Sequence, residues 1–146
     1  MKKFLTFMAF VALVAGMAGA SDRVVRDVNV LPAAARKMVA DTYSLKNVSH
    51  IKIDSSFFGG DDYDVVFVDG TEIEFNSKGE WKEVDAGSKP VASAFVLKPI
   101  ATYVKSNYPG QHIVQIKKER NKYEVELSSG LDLEFDRAGN FRRIDD

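Results

Sequence analysis

An internal repeat constrains this chain more than any other feature of its sequence. Tyr63-Asp64-Val65 matches Tyr123-Glu124-Val125, and Gly70-Thr71-Glu72-Ile73-Glu74-Phe75 matches Gly130-Leu131-Asp132-Leu133-Glu134-Phe135. Gly79-Glu80-Trp81-Lys82 matches Gly139-Asn140-Phe141-Arg142, and Val84-Asp85 matches Ile144-Asp145, at a constant offset of 60. Two copies at this spacing are too few and too long for a solenoid. The pattern reads as one domain made from a duplicated unit.

Each copy opens with a helical stripe. Leu31, Ala35, Met38, Val39 and Tyr43 recur at the spacing of one face of a helix, and Val96, Ile100, Tyr103, Val104 and Tyr108 repeat it. Pro32 and Pro99 suit the first turns, where a missing N–H costs nothing, and Pro109-Gly110 suits a stop. Ala86 to Pro90 reads as the linker between copies.

After each helix the period changes to two. Tyr123, Val125 and Leu127 alternate with Glu124, Glu126 and Ser128, and Tyr63, Val65 and Phe67 form the matching set. Such alternation describes a sheet with one buried and one wet face. Asp69-Gly70 and Ser129-Gly130 read as two-residue hairpin turns. Asn76 to Gly79 and Asp136 to Gly139 suit a type I turn with a glycine bulge. That bulge sets Phe75 beside Trp81 and Glu74 beside Lys82, then Phe135 beside Phe141 and Glu134 beside Arg142. It also puts Val84 and Ile144 on the charged face, unless a second bulge intervenes. The expected fold is α+β: a tandem duplication of a helix plus about four antiparallel strands. Its two helices pack on one face of a roughly eight-stranded antiparallel sheet. The repeats span about 31–85 and 96–146 within a single domain, 21–146.

The first twenty residues stand apart. Lys2 and Lys3, the apolar run Phe4 to Val14 and the small residues Ala18-Gly19-Ala20 form a secretory leader cut before Ser21. Its removal moves the net charge from -1 to -3, which gives no electrostatic case for nucleic acid. The expected location is periplasmic or secreted, with no membrane attachment after cleavage. The chain has no cysteine, so disulfides, thiolate metal sites and cysteine nucleophiles are excluded.

Leu31-Pro32, the Tyr108-Pro109-Gly110 helix end, Tyr123 to Leu127, Gly130 to Phe135 and the Asp136, Gly139, Phe141 turn together resemble the PepSY-like proteins. These are small exported bacterial proteins described as β-lactamase-inhibitor-like. The resemblance covers nearly the whole chain after the leader. It implies a tandem helix-plus-sheet fold whose open sheet face is a binding surface. The inhibitors of that name grip an enzyme with a concave sheet and its loops, and PepSY domains proper are associated with restraint of peptidases. The first repeat departs from the pattern. Tyr43-Ser44-Leu45 stands where the second has Tyr-Pro-Gly, and Phe57-Phe58-Gly59-Gly60 lengthens a hairpin.

Few residues point to chemistry. Asp61, Asp62 and Asp64 are dense enough to suggest calcium, but match no EF-hand spacing and read as a solvated strand entry. His50 and His112 lack a ligand set. Ser55, Ser56, Ser128 and Ser129 lie outside any nucleophile motif. The carboxylates Asp64, Glu72, Glu74, Glu124, Glu126, Asp132 and Glu134 occupy wet strand positions and read as solubilising. No catalytic residue, metal ligand or cofactor is assigned. Phe57 and Phe58 cannot both point inward in one hairpin, so an exposed aromatic beside glycine is expected. The expected function is a non-catalytic exported interaction module, inhibitor-like, gripping an unidentified envelope protein or peptide. Its contacts are the open sheet face and the 55–60 hairpin, with Phe57, Phe58, Trp81 and Phe141 as binding residues. The alternative is an envelope small-ligand or calcium-binding protein.

Overall fold

The computed structural model describes residues 22–56 and 58–145. The expected leader, Met1 to Ala20, its expected cleavage position and Phe57 lie outside the described residues. The fold is α+β. Two helices, α1 (Ala33–Thr42) and α2 (Lys98–Asn107), accompany nine strands: β1 (Arg23–Val25), β2 (Val48–Ser56), β3 (Gly60–Phe67), β4 (Glu72–Phe75), β5 (Trp81–Asp85), β6 (Ile113–Lys118), β7 (Lys122–Leu127), β8 (Asp132–Asp136) and β9 (Phe141–Ile144). The strands follow sequence order in an antiparallel sheet. The strand beyond the expected eight is β1, where Arg23, Val24 and Val25 pair with Ile53, Lys52 and Ile51. Three residues are too few to show a period, so the sequence carries no signal for it. The chain divides into two compact units, one ending at Lys82 and the other beginning at Glu83.

In the first unit Leu31, Ala35 and Val39 are buried, and the Tyr43 ring lies 5.0 Å from that of Phe67. Pro32 caps α1 from outside, so the helix starts at Ala33, one residue later than the sequence suggests. Ile51, Ile53, Val65, Ile73 and Phe75 fill the core. Each such side chain contributes about 1.5–3 kcal/mol over its exposed state. The alternate positions, Lys52, Asp64, Glu72 and Glu74, fall on the opposite face.

In the second unit Ile100 and Val104 of α2 are buried with Ile116, Val125, Leu127, Leu133 and Phe135. Pro99 occupies the first turn of α2. Tyr103 meets Phe135 edge-on at 5.4 Å and stacks on Phe141 at 4.5 Å with 9° between the planes.

Four hairpins share one turn. The Phe67 N–H donates to the Thr71 carbonyl and the Gly70 N–H to the Phe67 carbonyl. The same pair of bonds closes the turns at Asn76–Glu80, Leu127–Leu131 and Asp136–Asn140. Asp69-Gly70 and Ser129-Gly130 are therefore not two-residue turns, contrary to expectation. Each belongs to a three-residue loop ending in a left-handed glycine, because neither Asp69 nor Ser129 adopts the positive φ that a two-residue type I′ turn demands. The expected bulges at Gly79 and Gly139 are present, with Phe135 opposite Phe141. A second irregularity sets both Arg142 and Arg143 near Glu134 and returns Ile144 to a place opposite Leu133. Ile144 thus leaves the charged face, and Val84, paired with Ile116, is fully buried.

Gly79 makes the turn structural. Its φ is +81°, and a Cβ there would lie 2.9 Å from the Ala35 backbone nitrogen, whereas Gly70 at +89° has nothing within 4 Å. Gly70→Ala should lose only the left-handed backbone preference, about 1–2 kcal/mol. Gly79→Ala should lose clearly more in a urea titration, because the turn can no longer seat on the start of α1.

Candidate functional site

Two kinds of surface offer themselves: exposed aromatics and a carboxylate-rich strand face. The β2–β3 hairpin is closed by Ser56 opposite Gly60, and the Gly59 N–H donates to Ser56 Oγ at 3.2 Å. At its tip Phe58 is 98% exposed. Trp81, half-buried, opens β5 in the same unit. Phe141 belongs to the second unit, where it is 36% exposed and its ring is committed to the stack on Tyr103. With Lys98, Pro99, Tyr103, Asn107 and Asn140 it lines a hollow of about 550 Å³.

Antiparallel register dictates the charged face. In the first unit Asp64 lies directly between Lys52 on β2 and Glu74 on β4, and Asp54 is opposite Asp62. Like charges placed opposite each other oppose folding. Lys82 compensates, with its Nζ 2.9 Å from Glu74 and 3.3 Å from Asp62. Lys52 reaches Glu72 at 3.8 Å. Burial, followed by the charge of Glu74, pushes the Asp64 carboxyl up to about 7. Asp64 is thus not part of a merely solvated strand entry.

The second unit repeats this arrangement with more burial. Glu124 is opposite Glu134 and Glu126 is opposite Asp132. Lys122 bonds to both Glu124 and Glu134, and Arg143 reaches Glu134 at 3.1 Å. Burial acts to raise the Glu134 carboxyl, but these cationic partners hold it below its ordinary range. Asp132 has fewer partners. It is 5% exposed, and its Oδ1 is buried without a hydrogen bond. Burial, then the charges of Glu126 and Asp145, push it up to about 6. The expectation that these carboxylates serve solubility is therefore corrected for Asp132 and Glu134, both of which are buried. The sequence did hold the signal for the opposed pair, though not for its burial: once the hairpin register is drawn, Glu124 must face Glu134.

Carboxylate oxygens of Glu124, Glu134 and Asp145 lie within 4.8 Å of one another and could hold a cation. The Lys122 ammonium already lies among them. The histidines do not join this group. His50 Nδ1 is 3.1 Å from Ser49 Oγ, its neighbour at a strand irregularity. His112 Nε2 donates to the Ser88 carbonyl at 2.9 Å.

The chain belongs to the PepSY-like family, described as "Putative beta-lactamase-inhibitor-like, PepSY-like", whose model matches residues 61–143. A Bacteroides vulgatus protein described as periplasmic and of unknown function is 45% identical. The match covers 86% of this chain and 100% of that one, with a TM-score of 0.80. A Bacteroides thetaiotaomicron protein described as putatively calcium-regulated and periplasmic is 33% identical over 86% of this chain and 97% of its own, with a TM-score of 0.79. A second Bacteroides vulgatus periplasmic protein, of the DUF2874 family, is 33% identical over 86% and 98%, with a TM-score of 0.78. No curated protein matches the chain. No helix among the described residues is long and apolar enough to cross a membrane.

The raised carboxyls fix the sign of a pH response. Between the unfolded value of 3.8 and the folded values of about 7 for Asp64 and about 6 for Asp132, the folded protein binds more protons than the unfolded chain. Stability therefore falls as pH rises through that window. Glu134 and Asp136, lowered in the fold, act the other way, and their contribution is lost only at more acidic pH. The melting temperature should be higher at pH 5 than at pH 8. Asp64→Asn should raise it at pH 8 and shrink the difference.

Proposed function

We propose that this protein is a non-catalytic binding module of the bacterial envelope, periplasmic or secreted after loss of Met1 to Ala20. In this reading residues 21–146 are a single domain built from two copies of one helix-and-sheet unit, and it engages a protein or peptide. The observation that carries the proposal is Phe58, 98% exposed at the tip of a glycine-flanked hairpin. An aromatic held there already has little solvation to lose and much to gain against a partner. Phe57 beside it and the half-buried Trp81 extend the proposed contact, and Phe141 offers a second one on the other unit. The described titratable groups support a non-catalytic reading: neither histidine touches a carboxylate among the described residues, since His50 contacts Ser49 and His112 the Ser88 carbonyl. The family's inhibitor-like description and the periplasmic relatives fit the same reading. Bound to a column, the protein should retain an envelope component that Phe57→Ser with Phe58→Ser weakens at least tenfold at unchanged melting temperature. Undiminished retention by that double variant rules out the hairpin as the contact.

A second reading rests on the Glu124, Glu134 and Asp145 trio and on the relative described as calcium-regulated. Hard cations take several carboxylate oxygens. A calcium ion there has to displace the Lys122 ammonium, which is why this reading comes second. Under it, millimolar calcium raises the melting temperature by several degrees, and Glu124→Gln with Asp145→Asn removes the rise. A flat titration eliminates it.

A further inference from the structure

The second unit contains a hollow that neither reading uses. The linker after β5 is pinned to the start of β6 by the Val91 N–H donating to the Ile113 carbonyl at 2.8 Å. The α2 helix stops at Tyr108, and the chain turns back through Pro109 and Gly110, with the Gln111 N–H donating to the Tyr108 carbonyl at 3.1 Å. Linker, helix end and turn border an open hollow of about 500 Å³. That lies within the range of about 300–1,000 Å³ typical of small-ligand sites. The walls are mainly apolar, formed by Val91, Val96, Val104, Tyr108 and Ile113.

Ser93, Lys105, Gln111 and His112 interrupt the apolar lining, and His112 Nε2 is already bonded to the Ser88 carbonyl. Gln111 lines the hollow, and its Oε1 is buried without a hydrogen-bond partner. A buried acceptor of this kind recovers its lost hydration only from a donor brought to it. Lys105 lines the same hollow from the last turn of α2. Its side chain is exposed, and it makes no ion pair among the described residues, although the chain as a whole is slightly acidic. An apolar cavity, an acceptor that needs an N–H and a cation without a carboxylate define a ligand with three matching parts.

We propose that this hollow binds the C-terminal end of a peptide whose last residue is apolar. The side chain enters between Val91, Val104 and Ile113. The last backbone N–H donates to Gln111 Oε1, and the terminal carboxylate pairs with Lys105. This mode joins a fixed carboxylate to an apolar anchor, so both ends of the terminal residue are read at once. The inference is independent of the hairpin contact proposed above, which lies on the first unit.

The test is an NMR titration of the isotope-labelled purified protein with acetyl-Ala-Ala-Leu bearing a free carboxylate. Saturable shifts at Val91, Val104, Gln111 and Ile113 are expected. The same peptide with an amidated end should bind at least tenfold more weakly, and so should acetyl-Ala-Ala-Asp. Lys105→Glu should weaken the acid peptide at least tenfold and leave the amide peptide unchanged. Ala101→Trp, at an exposed position on the rim, should abolish both while the melting temperature holds. The proposal is overturned by no saturable shift at several millimolar, by equal binding of acid and amide, or by binding that survives Ala101→Trp. Acetyl-leucine binding as tightly as the tripeptide also overturns it, in favour of a site for small free acids.

Discussion

Everything on the strand faces depends on one turn geometry: a type I turn closed by a glycine at φ near +85°. The four members, at Gly70, Gly79, Gly130 and Gly139, have φ values of 89°, 81°, 87° and 89°. Because the loop always adds one residue to one strand, the register of each hairpin is fixed before any side chain packs. Two of these glycines also touch the helices. A Cβ on Gly79 would meet the Ala35 backbone and Pro32, and one on Gly139 would lie 3.1 Å from the Pro99 Cβ. The prolines at the helix starts and the glycines of the turns are thus two sides of one contact in each unit. Asn76 and Asp136 reinforce it, since the Oδ1 of each accepts two backbone N–H bonds across its turn.

A fixed register has an electrostatic cost. With apolar residues committed to the helix side, the remaining positions bring Asp64 against Glu74, Glu124 against Glu134 and Glu126 against Asp132. Two devices contain the repulsion. One is an interposed cation, Lys82 in the first unit and Lys122 in the second. The other is a raised carboxyl, as at Asp64 and Asp132, which gives up its charge more readily than a free aspartate. Glu134 shows the limit of the first device, since Lys122, Arg142 and Arg143 all lie within 3.6 Å of it. Here most of their effect is to relieve opposed carboxylates rather than to add stability outright.

Much of this was legible from residue order. The stripes through Ala35 and Val39, and through Ile100 and Val104, locate the helices because burial follows their 3.6-residue period. The bulge at Gly139 gives the Phe135–Phe141 pair directly. Three things were hidden, each for a physical reason. The β1 strand is too short for periodicity. The loop at Asp69-Gly70 was misread because a two-residue and a three-residue turn share the same glycine signal, and only the φ of the preceding residue separates them. The burial of Asp132 and Glu134 was invisible because alternation says which face a residue takes and nothing about what screens that face from water. The hollow beside Gln111 was hidden too, since it arises where three irregular segments meet.

The division of polar groups bears on what the shifted carboxylates require by way of explanation. A general acid or base needs a shifted group with a reacting atom beside it. Asp64 and Asp132 are shifted, yet one sits within β3, the other opens β8, and each is perturbed chiefly by burial and by other carboxylates. Neither contacts a histidine or a serine hydroxyl among the described residues. Their perturbation follows from strand register and requires no function. Phe58 is different in kind. No demand of register or core packing places an aromatic ring at a hairpin tip at 98% exposure. The shifted carboxylates are accounted for by the fold, and the exposed ring is the feature on which the proposed contact rests.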